Sequence, residues 1–384
     1  MMSHDVAIKS VSCLIPGFGE DGAEFGELIP TRELLDNITS LSSHGSRADN
    51  SFIAAKVGIE TVAATRTSAG IMRQMWANRE RPAHAARFAG YTNTCLYRML
   101  AASIGRALYP LALAGRPPHV RAHIHIVSFP QPMLEYELFR VRREVGIDDV
   151  DLHTLIIQQG CAGLFSALKT AKLLLASSDF AADDVVLVTA ENNMMPYLHQ
   201  RAAGYADFGD INSWLFPGIF GEGVGALVLG RAGERSGAEW RLGVIEDEMV
   251  QREWRIAPRW NESAGCSEVV TRSRAVKQTY LANVTNHATR AIAACGGPDA
   301  VFRLCLHESN PLLVRTVAGR VGFPLDRVPS ISASVGTLAI ASSFSLLERA
   351  TADLHRATPE QKQLVMVLIG ESNGIRAGHL ILSL

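Results

Sequence analysis

Short apolar runs alternate with helical patterns along the whole chain, the layout of an α/β protein whose strands are buried on both faces. The runs predict strands at Val6 to Ser12, His123 to Val127, Leu155 to Ile157, Val185 to Ala190, Val224 to Leu229, Leu304 to Leu306, Leu364 to Ile369 and His379 to Leu382. The clearest helical period follows Cys161: Leu164, Leu168, Ala171, Leu174 and Leu175 recur every three or four residues, with Lys169 and Lys172 on the other face. Further helices are expected from Lys277 to Cys295, and from Leu312 to Val321 after Pro311, a residue suited to a first turn.

One pattern occurs twice. Gly221-Glu222-Gly223-Val224-Gly225 leads into the apolar run ALVLG, and Gly370-Glu371-Ser372-Asn373-Gly374 leads, a few residues later, into HLILSL. Two Gly-rich turns that each precede a strand, far apart in the chain, imply two related halves. The expected boundary falls in the polar stretch Arg231 to Gly237, which divides the chain into 1–235 and 236–384.

The 384 residues suffice for two or three domains and need neither disulfides nor metals for a core. With 37 basic and 38 acidic side chains the net charge is −1, which removes the bulk electrostatic case for nucleic acid or an anionic membrane. No run reaches the ~18 apolar residues of a membrane span. The opening MMSHDVAIKSVSCLIPGFGEDG lacks the charged, apolar and small-residue regions of a secretory signal, so a cytoplasmic address is expected. Six cysteines (Cys13, Cys95, Cys161, Cys266, Cys295, Cys305) are widely spaced, without a C-x-x-C pair or a nearby His at zinc spacing. No metal site is expected, and a single reactive thiol becomes the question.

Pro16-Gly17-Phe18-Gly19-Glu20-Asp21-Gly22 satisfies G-x-G-x-x-G, but Glu20 and Asp21 stand where a pyrophosphate would lie and no amphipathic helix opens after Gly22. It is read as a surface loop. From Arg66 to Arg121 lie nine arginines (Arg66, Arg73, Arg79, Arg81, Arg87, Arg98, Arg106, Arg116, Arg121) and one acidic residue, Glu80. They are either solvated helix faces or a positive mouth for a phosphate-bearing or acidic partner, with Arg73 and Arg79 as representative contacts.

Gln158-Gln159-Gly160-Cys161-Ala162-Gly163 joins the strand Leu155-Ile156-Ile157 to a helix, so Cys161 is expected in a sharp turn at a helix N-terminus. Backbone N–H groups and the macrodipole there favour thiolate, the nucleophilic form; the alternative is a buried cysteine acting as a small hydrophobe. Leu304-Cys305-Leu306-His307-Glu308-Ser309-Asn310-Pro311 places His307 at the end of a strand, where ligands of α/β sheets gather, though a lone histidine there is also often structural. His119, His123 and His125 are read as strand residues.

Together, Gly160-Cys161-Ala162-Gly163, Phe220-Gly221-Glu222-Gly223-Val224-Gly225-Ala226, His307-x-x-Asn310, Gly370-x-x-x-Gly374 and the early turn Lys56-Val57-Gly58-Ile59-Glu60 resemble the thiolase-like superfamily, in particular the β-ketoacyl-acyl-carrier-protein synthase III group. The resemblance implies a thiolase-like α/β fold of two β-α-β-α-β-α-β-β halves in a five-layered core, and a homodimer. It implies an acyl thioester of coenzyme A or acyl carrier protein as substrate, with no permanently bound cofactor. Carried over, Cys161 is the acyl acceptor and His307 the residue that hydrogen-bonds the extender thioester. Asn310 lies in the same substrate-facing motif. The oxyanion hole comprises the backbone N–H of Cys161 and that of Asn373, aligned through Gly374 and Gly378.

The chain departs from the family pattern where G-N-T-S-A-A-S is normal: Gly336-Thr337-Leu338-Ala339-Ile340-Ala341-Ser342 puts Thr337 in place of the second catalytic asparagine. A hydroxyl can donate one hydrogen bond but lacks the amide's reach, which puts stabilisation of an enolate, and so decarboxylative condensation, in doubt. Two enzymatic readings follow. One is acyl transfer in specialised metabolism, with Cys161 loaded and His307 as general base toward a hydroxyl, amine or thiol acceptor. The other is C–C condensation with a malonyl thioester, Thr337 or a water standing in for the amide. A non-catalytic partner subunit is the alternative of another class, disfavoured by the intact Cys161 and His307. A cysteine hydrolase lacks an Asp or Asn positioned to orient His307.

Overall fold

In a computed structural model of the chain, residues 5–34, 58–77, 93–115, 118–128, 133–147, 150–193, 219–233, 239–251, 256–261, 266–271, 273–371 and 374–384 are described. The strands are β1 (Val6–Leu14), β2 (Gly26–Pro30), β3 (Thr61–Thr65), β4 (His119–Val127), β5 (His153–Gln158), β6 (Asp184–Asn192), β7 (Gly223–Arg231), β8 (Trp240–Gln251), β9 (Ile256–Asn261), β10 (Cys266–Thr271), β11 (Val301–Leu306), β12 (Gln363–Glu371) and β13 (Ile375–Ser383). The helices are α1 (Gly19–Ala23), α2 (Arg66–Ala77), α3 (Thr94–Leu113), α4 (Leu134–Glu144), α5 (Gly163–Ala176), α6 (Ser273–Ala294), α7 (Pro311–Arg320), α8 (Ser332–Val335) and α9 (Ile340–Ala352). Every strand and helix expected from the apolar pattern is present, each within a few residues of its expected ends.

Among the described residues, nine strands form one mixed sheet in the order β11-β12-β13-β8-β1-β7-β6-β4-β5. On one side β4 runs parallel to β6, β6 antiparallel to β7, and β7 antiparallel to β1. On the other, β11 runs parallel to β12, β12 antiparallel to β13, and β13 antiparallel to β8. Strands β1 and β8 meet antiparallel between them. Read outward from that junction the pairing repeats, and the two Gly-rich segments enter the equivalent strands β7 and β13.

Strand alternation decides which layer each residue joins. Ala122, Ile124 and Ile126 of β4 and Leu364, Met366 and Leu368 of β12 face one central cluster, filled by α5 (Leu164, Phe165, Leu168) and α9 (Ile340, Phe344, Leu347). The opposite sheet face packs α3 and α4 through Leu100, Ile104, Leu138 and Val141. Helices α6 and α7 cover β11 to β13 through Val284, Ala288, Val314 and Val317. The two ends of the one sheet therefore share the central α5 and α9, with α3 and α4 outside one end and α6 and α7 outside the other, so the stacking reads helix, sheet, helix, sheet, helix. Close approach in the centre depends on glycine: a Cβ at Gly163 would lie 2.5 Å from Ile126 Cγ2, and one at Gly225 2.3 Å from Phe344 Cγ.

The G-x-G-x-x-G stretch closes on itself, with the Gly17 N–H donating to the Gly22 carbonyl at 2.8 Å and a single helical turn, α1, inside the motif. The turn leads into β2, so no long helix presents its N-terminus to a pyrophosphate. Among the described residues no helix is long and apolar enough to cross a membrane.

Candidate active site

Strand β5 ends at Gln158, and Gly160, at φ +49°, turns the chain into the tight Gly160–Ala162 turn that runs straight into α5. Cys161 therefore stands at the N-terminal end of a 14-residue helix and is 6% exposed. The end of β12 abuts this turn: a Cβ on Gly370 would lie 2.4 Å from the Ala162 nitrogen and 2.9 Å from the Cys161 nitrogen. Gly370, the first residue of the C-terminal Gly-rich segment, is thus packed on the cysteine backbone. Asn373, expected to supply the second N–H, lies outside the described residues. Burial pushes the thiols of Cys13, Cys95 and Cys295 up and that of Cys305 to about 12, holding all four neutral at pH 7.

His307 follows the last residue of β11, and its N–H donates to the Val367 carbonyl of β12 at 2.8 Å. Strand β12 therefore carries both catalytic candidates, His307 beside Val367 and the Cys161 turn against Gly370. The His307 carbonyl accepts from the Ser309 N–H at 3.2 Å and from the Tyr280 hydroxyl of α6. The imidazole is 8% exposed, and burial lowers its pKa from the usual 6.5 to about 4, so it is neutral at pH 7. Its Nδ1 is sealed and has no hydrogen-bond partner. A buried N–H without an acceptor is costlier than a bare lone pair, so the proton belongs on Nε2.

Thr337 is buried, and its hydroxyl donates to the Ser309 carbonyl at 2.7 Å. The one proton of this hydroxyl is committed to the loop that carries His307. Around it, the Thr337 N–H donates to the Ile219 carbonyl at 2.7 Å, and the Thr337 carbonyl accepts from the Gly221 N–H at 3.0 Å and from Asn192 Nδ2 at 3.4 Å. The Gly221 turn is in this way docked onto the Thr337 turn. Asn310, expected to face substrate, is the N-cap of α7: its Oδ1 accepts from the Leu313 N–H at 2.9 Å.

The arginine-rich segment carries less free charge than its composition implies. Arg73 is ion-paired with Glu27 on the surface, Arg106 with Asp21 at 2.8 Å, and Arg121 with Asp151 at 3.6 Å. Arg79 lies outside the described residues. His123 and His125 are fully buried in β4, their Nε2 and Nδ1 atoms each 2.7 Å from the Thr189 hydroxyl, and burial lowers the pKa of both. Among the described residues no cluster of His, Cys, Asp and Glu is arranged to hold a metal ion.

Two buried carboxylates beside the motifs escape a sequence reading. Glu222 accepts from the Thr65 N–H at 2.6 Å, Ser68 Oγ at 2.8 Å and Asn93 Nδ2 at 2.8 Å, pinning the Gly221 turn to the start of α2. Glu308, next to His307, accepts three hydrogen bonds from the segment 330–332. The one available signal was an acidic residue inside an otherwise apolar or Gly-rich motif, where a carboxylate must find donors or stay neutral.

No family model matches the chain. A curated β-ketoacyl-[acyl-carrier-protein] synthase III from Rhodobacter capsulatus is 24% identical over 223 residues, 56% of this chain and 64% of the relative. The match thus spans a little under two thirds of that relative's length. Among solved structures, OleA of Xanthomonas campestris superposes with a TM-score of 0.73 at 12% identity, covering 100% of both chains. CsyB gives 0.75 at 15% identity over 99% of both chains. FabH of Xanthomonas oryzae pv. oryzae gives 0.73 at 13% identity over 100% of both. The chain has the thiolase-like α/β fold. Within that class its fold is of the ketosynthase III type, as in FabH and OleA.

Proposed function

We propose that the protein is an acyl-thioester transferase: Cys161 takes an acyl group from a coenzyme A or carrier-protein thioester and passes it to an acceptor nucleophile in specialised metabolism. OleA has been solved with lauric acid and lauroyl-CoA bound, which supports an acyl thioester as the donor class. The position of Cys161 at the N-terminal end of α5, with Gly370 against its backbone, suits attack on a thioester and stabilisation of the resulting oxyanion.

The observation that carries transfer over condensation is the Thr337 hydroxyl's bond to the Ser309 carbonyl. An enolate formed by loss of CO2 needs two convergent donors, and here the side chain in the second position spends its only proton on the protein. His307 serves as an Nε2–H donor to the thioester oxygen. It is a poor general base, since its Nδ1 has no acceptor to stabilise an imidazolium and burial disfavours that charge. This revises the role suggested by sequence and favours an acceptor that ionises on its own, a thiol above all. The Nε2–H tautomer is also the one observation that favours the second reading, decarboxylative condensation with a malonyl thioester.

The chain is proposed to act as a homodimer whose halves are residues 1–235 and 236–384. Strand β5 ends the sheet with Leu155 38% and Ile156 36% exposed, an apolar edge that a second copy would cover. No bound metal or organic cofactor enters the scheme, and a cytoplasmic address fits it. The direct test is peptide mapping after incubation with a panel of acyl-CoAs. The acyl group should sit on Cys161 alone, and turnover that persists in Cys161→Ala would refute the scheme.

A further inference from the structure

Behind the catalytic histidine the chain brings a second, wholly buried ionisable group that the reaction does not touch. Glu308 is 0% exposed and follows His307 directly. Its Oε1 accepts from Ser330 Oγ at 2.5 Å, from the Ile331 N–H at 2.8 Å and from the Ser332 N–H at 3.2 Å. Its Oε2 is buried with no hydrogen-bond partner. All three donors lie in the segment that becomes α8 and then Gly336 and Thr337. That same segment returns one bond, from the Thr337 hydroxyl to the Ser309 carbonyl, one residue past Glu308. The stretch 307–310 and the stretch 330–337 are therefore stapled twice, once on each side of the turn that follows His307.

A buried carboxylate is an expensive staple, and its retention beside His307 calls for a reason. A hydroxyl in its place would satisfy fewer of the donors, because a carbonyl-type oxygen such as Oε1 accepts several at once. The remaining supports of His307 are backbone contacts: its N–H on Val367, and its carbonyl under the Tyr280 hydroxyl. They hold His307 itself; the peptide that follows is held by the Ser309 N–H on the His307 carbonyl and by the bonds of Glu308 and Thr337. The side chain makes no hydrogen bond through Nδ1 and rests beside the Tyr280 ring, centroids 6.0 Å apart. The direction of the imidazole therefore depends on the backbone of residues 307–309 as well as on the Tyr280 ring, and Glu308 Oε1 and the Thr337 hydroxyl tie that backbone to residues 330–337.

We infer that Glu308 is a positioning residue for the transfer reaction: its carboxylate clamps the 330–332 backbone to the histidine turn and thereby aims His307 Nε2 at the thioester on Cys161. This rests on the proposed use of His307 in transfer. Burial pushes the Glu308 carboxyl above its ordinary range, with the Ser330, Ile331 and Ser332 donors pulling it back down. The clamp needs the acceptor oxygen and not the charge. Glu308→Gln, which keeps Oε1 and replaces the unpartnered Oε2 by an amide nitrogen, should therefore preserve it, whereas Glu308→Asp is too short and Glu308→Ala has no acceptor.

Three measurements on the full-length variants test this. Single-turnover acylation of Cys161 followed by intact mass spectrometry should be nearly unchanged in Glu308→Ala, because the Cys161 turn is held by α5 and Gly370. Transfer from acyl-Cys161 to a thiol acceptor should fall about 10²-fold, the scale for a catalytic group displaced by ~1 Å, mainly in kcat, and Glu308→Gln should rescue it while Glu308→Asp should not. Carbethoxylation of His307 by diethyl pyrocarbonate, read by peptide mass spectrometry, should speed up several-fold in Glu308→Ala and stay slow in Glu308→Gln. Unchanged His307 reactivity in Glu308→Ala, or a loss of Cys161 acylation equal to the loss of transfer, would overturn the inference. Faster His307 modification with undiminished transfer would leave the clamp standing and refute instead the use of His307 in the reaction.

Discussion

Gly370→Ala is the sharpest single perturbation of the site, because one methyl group is aimed at the backbone that holds the proposed nucleophile, Cys161. The added carbon would sit 2.4 Å from the Ala162 nitrogen, 2.9 Å from the Cys161 nitrogen and 3.1 Å from the Cys161 carbonyl carbon. Ordinary contact lies about 1 Å farther out, and every one of these neighbours is main chain, which cannot swing aside as a side-chain tip can. Either β12 or the Cys161 turn must yield. The hairpin of β12 and β13 is fixed by a continuous ladder from Gln363–Ser383 to Glu371–Ile375, so the turn is the part that moves. A displacement of ~1 Å should slow acylation of Cys161 about 10²-fold, and overpacking should lower stability by about 1–3 kcal/mol. Single-turnover acylation by an acyl-CoA, followed by intact mass spectrometry beside a urea melt, reads both effects. Gly319→Ala serves as the control, since that glycine lies within α7 with nothing inside 4 Å of a Cβ. It should leave acylation alone and add about 0.5–1 kcal/mol. Acylation of a folded Gly370→Ala protein at the wild-type rate would refute the claim that β12 positions the nucleophile.

Thr337→Val keeps the shape but leaves the Ser309 carbonyl unpaired, so it should cost about 1–3 kcal/mol of stability and slow transfer while sparing acylation; Thr337→Ser should behave as wild type in both. The pH dependence follows from His307: its folded pKa of about 4 lies below the unfolded 6.5, so the unfolded chain takes up the proton first as pH falls. The stability tied to neutral His307 is full above about pH 6.5, declines as pH drops toward 4 and then levels, a loss of up to about 3 kcal/mol that His307→Gln should remove from the melting profile. The transfer rate should show no ionisation of His307 between pH 5 and 8. With a limiting amount of iodoacetamide at pH 7, Cys161 should be alkylated before Cys13, Cys95, Cys295 and Cys305, whose thiols burial holds protonated. Peptide mapping that finds any of these four modified first would contradict that order.

The strands were legible because β4, β6, β7, β11 and β12 are sandwiched between helices, and such strands need nearly continuous apolar runs. Strand β8 was not, since Glu246, Asp247 and Glu248 interrupt its apolar pattern; it is held instead by its ladders to β13 and β1. Helix α9 was missed for the opposite reason: Ile340 to Leu347 is buried all round, serines included, so it has no polar face and no amphipathic period. Of the candidate site, the strand-to-turn settings of Cys161 and His307 were readable from the apolar runs that precede them. The engagement of Thr337, Asn310 and Arg73 was not, because each depends on a partner distant in sequence or on a cap: the Ser309 carbonyl, the Leu313 N–H and Glu27. The resemblance to the family's G-N-T-S-A-A-S pattern marked Thr337 as the point of departure, but only the fold gives the direction of its hydroxyl.

The central claim is that Cys161 passes its acyl group on without a decarboxylating condensation, and one measurement bears on it most directly. Acyl-loaded wild-type protein is given malonyl thioester carrying labelled carboxylate carbon together with a thiol acceptor, and CO2, free acyl thioester and carbon-chain products are quantified over a single turnover. The account predicts the acyl group on the acceptor thiol and no CO2 above the rate of a Cys161→Ala control. Stoichiometric CO2 release with a β-keto product would contradict it, and would mean that His307 Nε2–H alone stabilises the enolate that the committed Thr337 hydroxyl cannot reach.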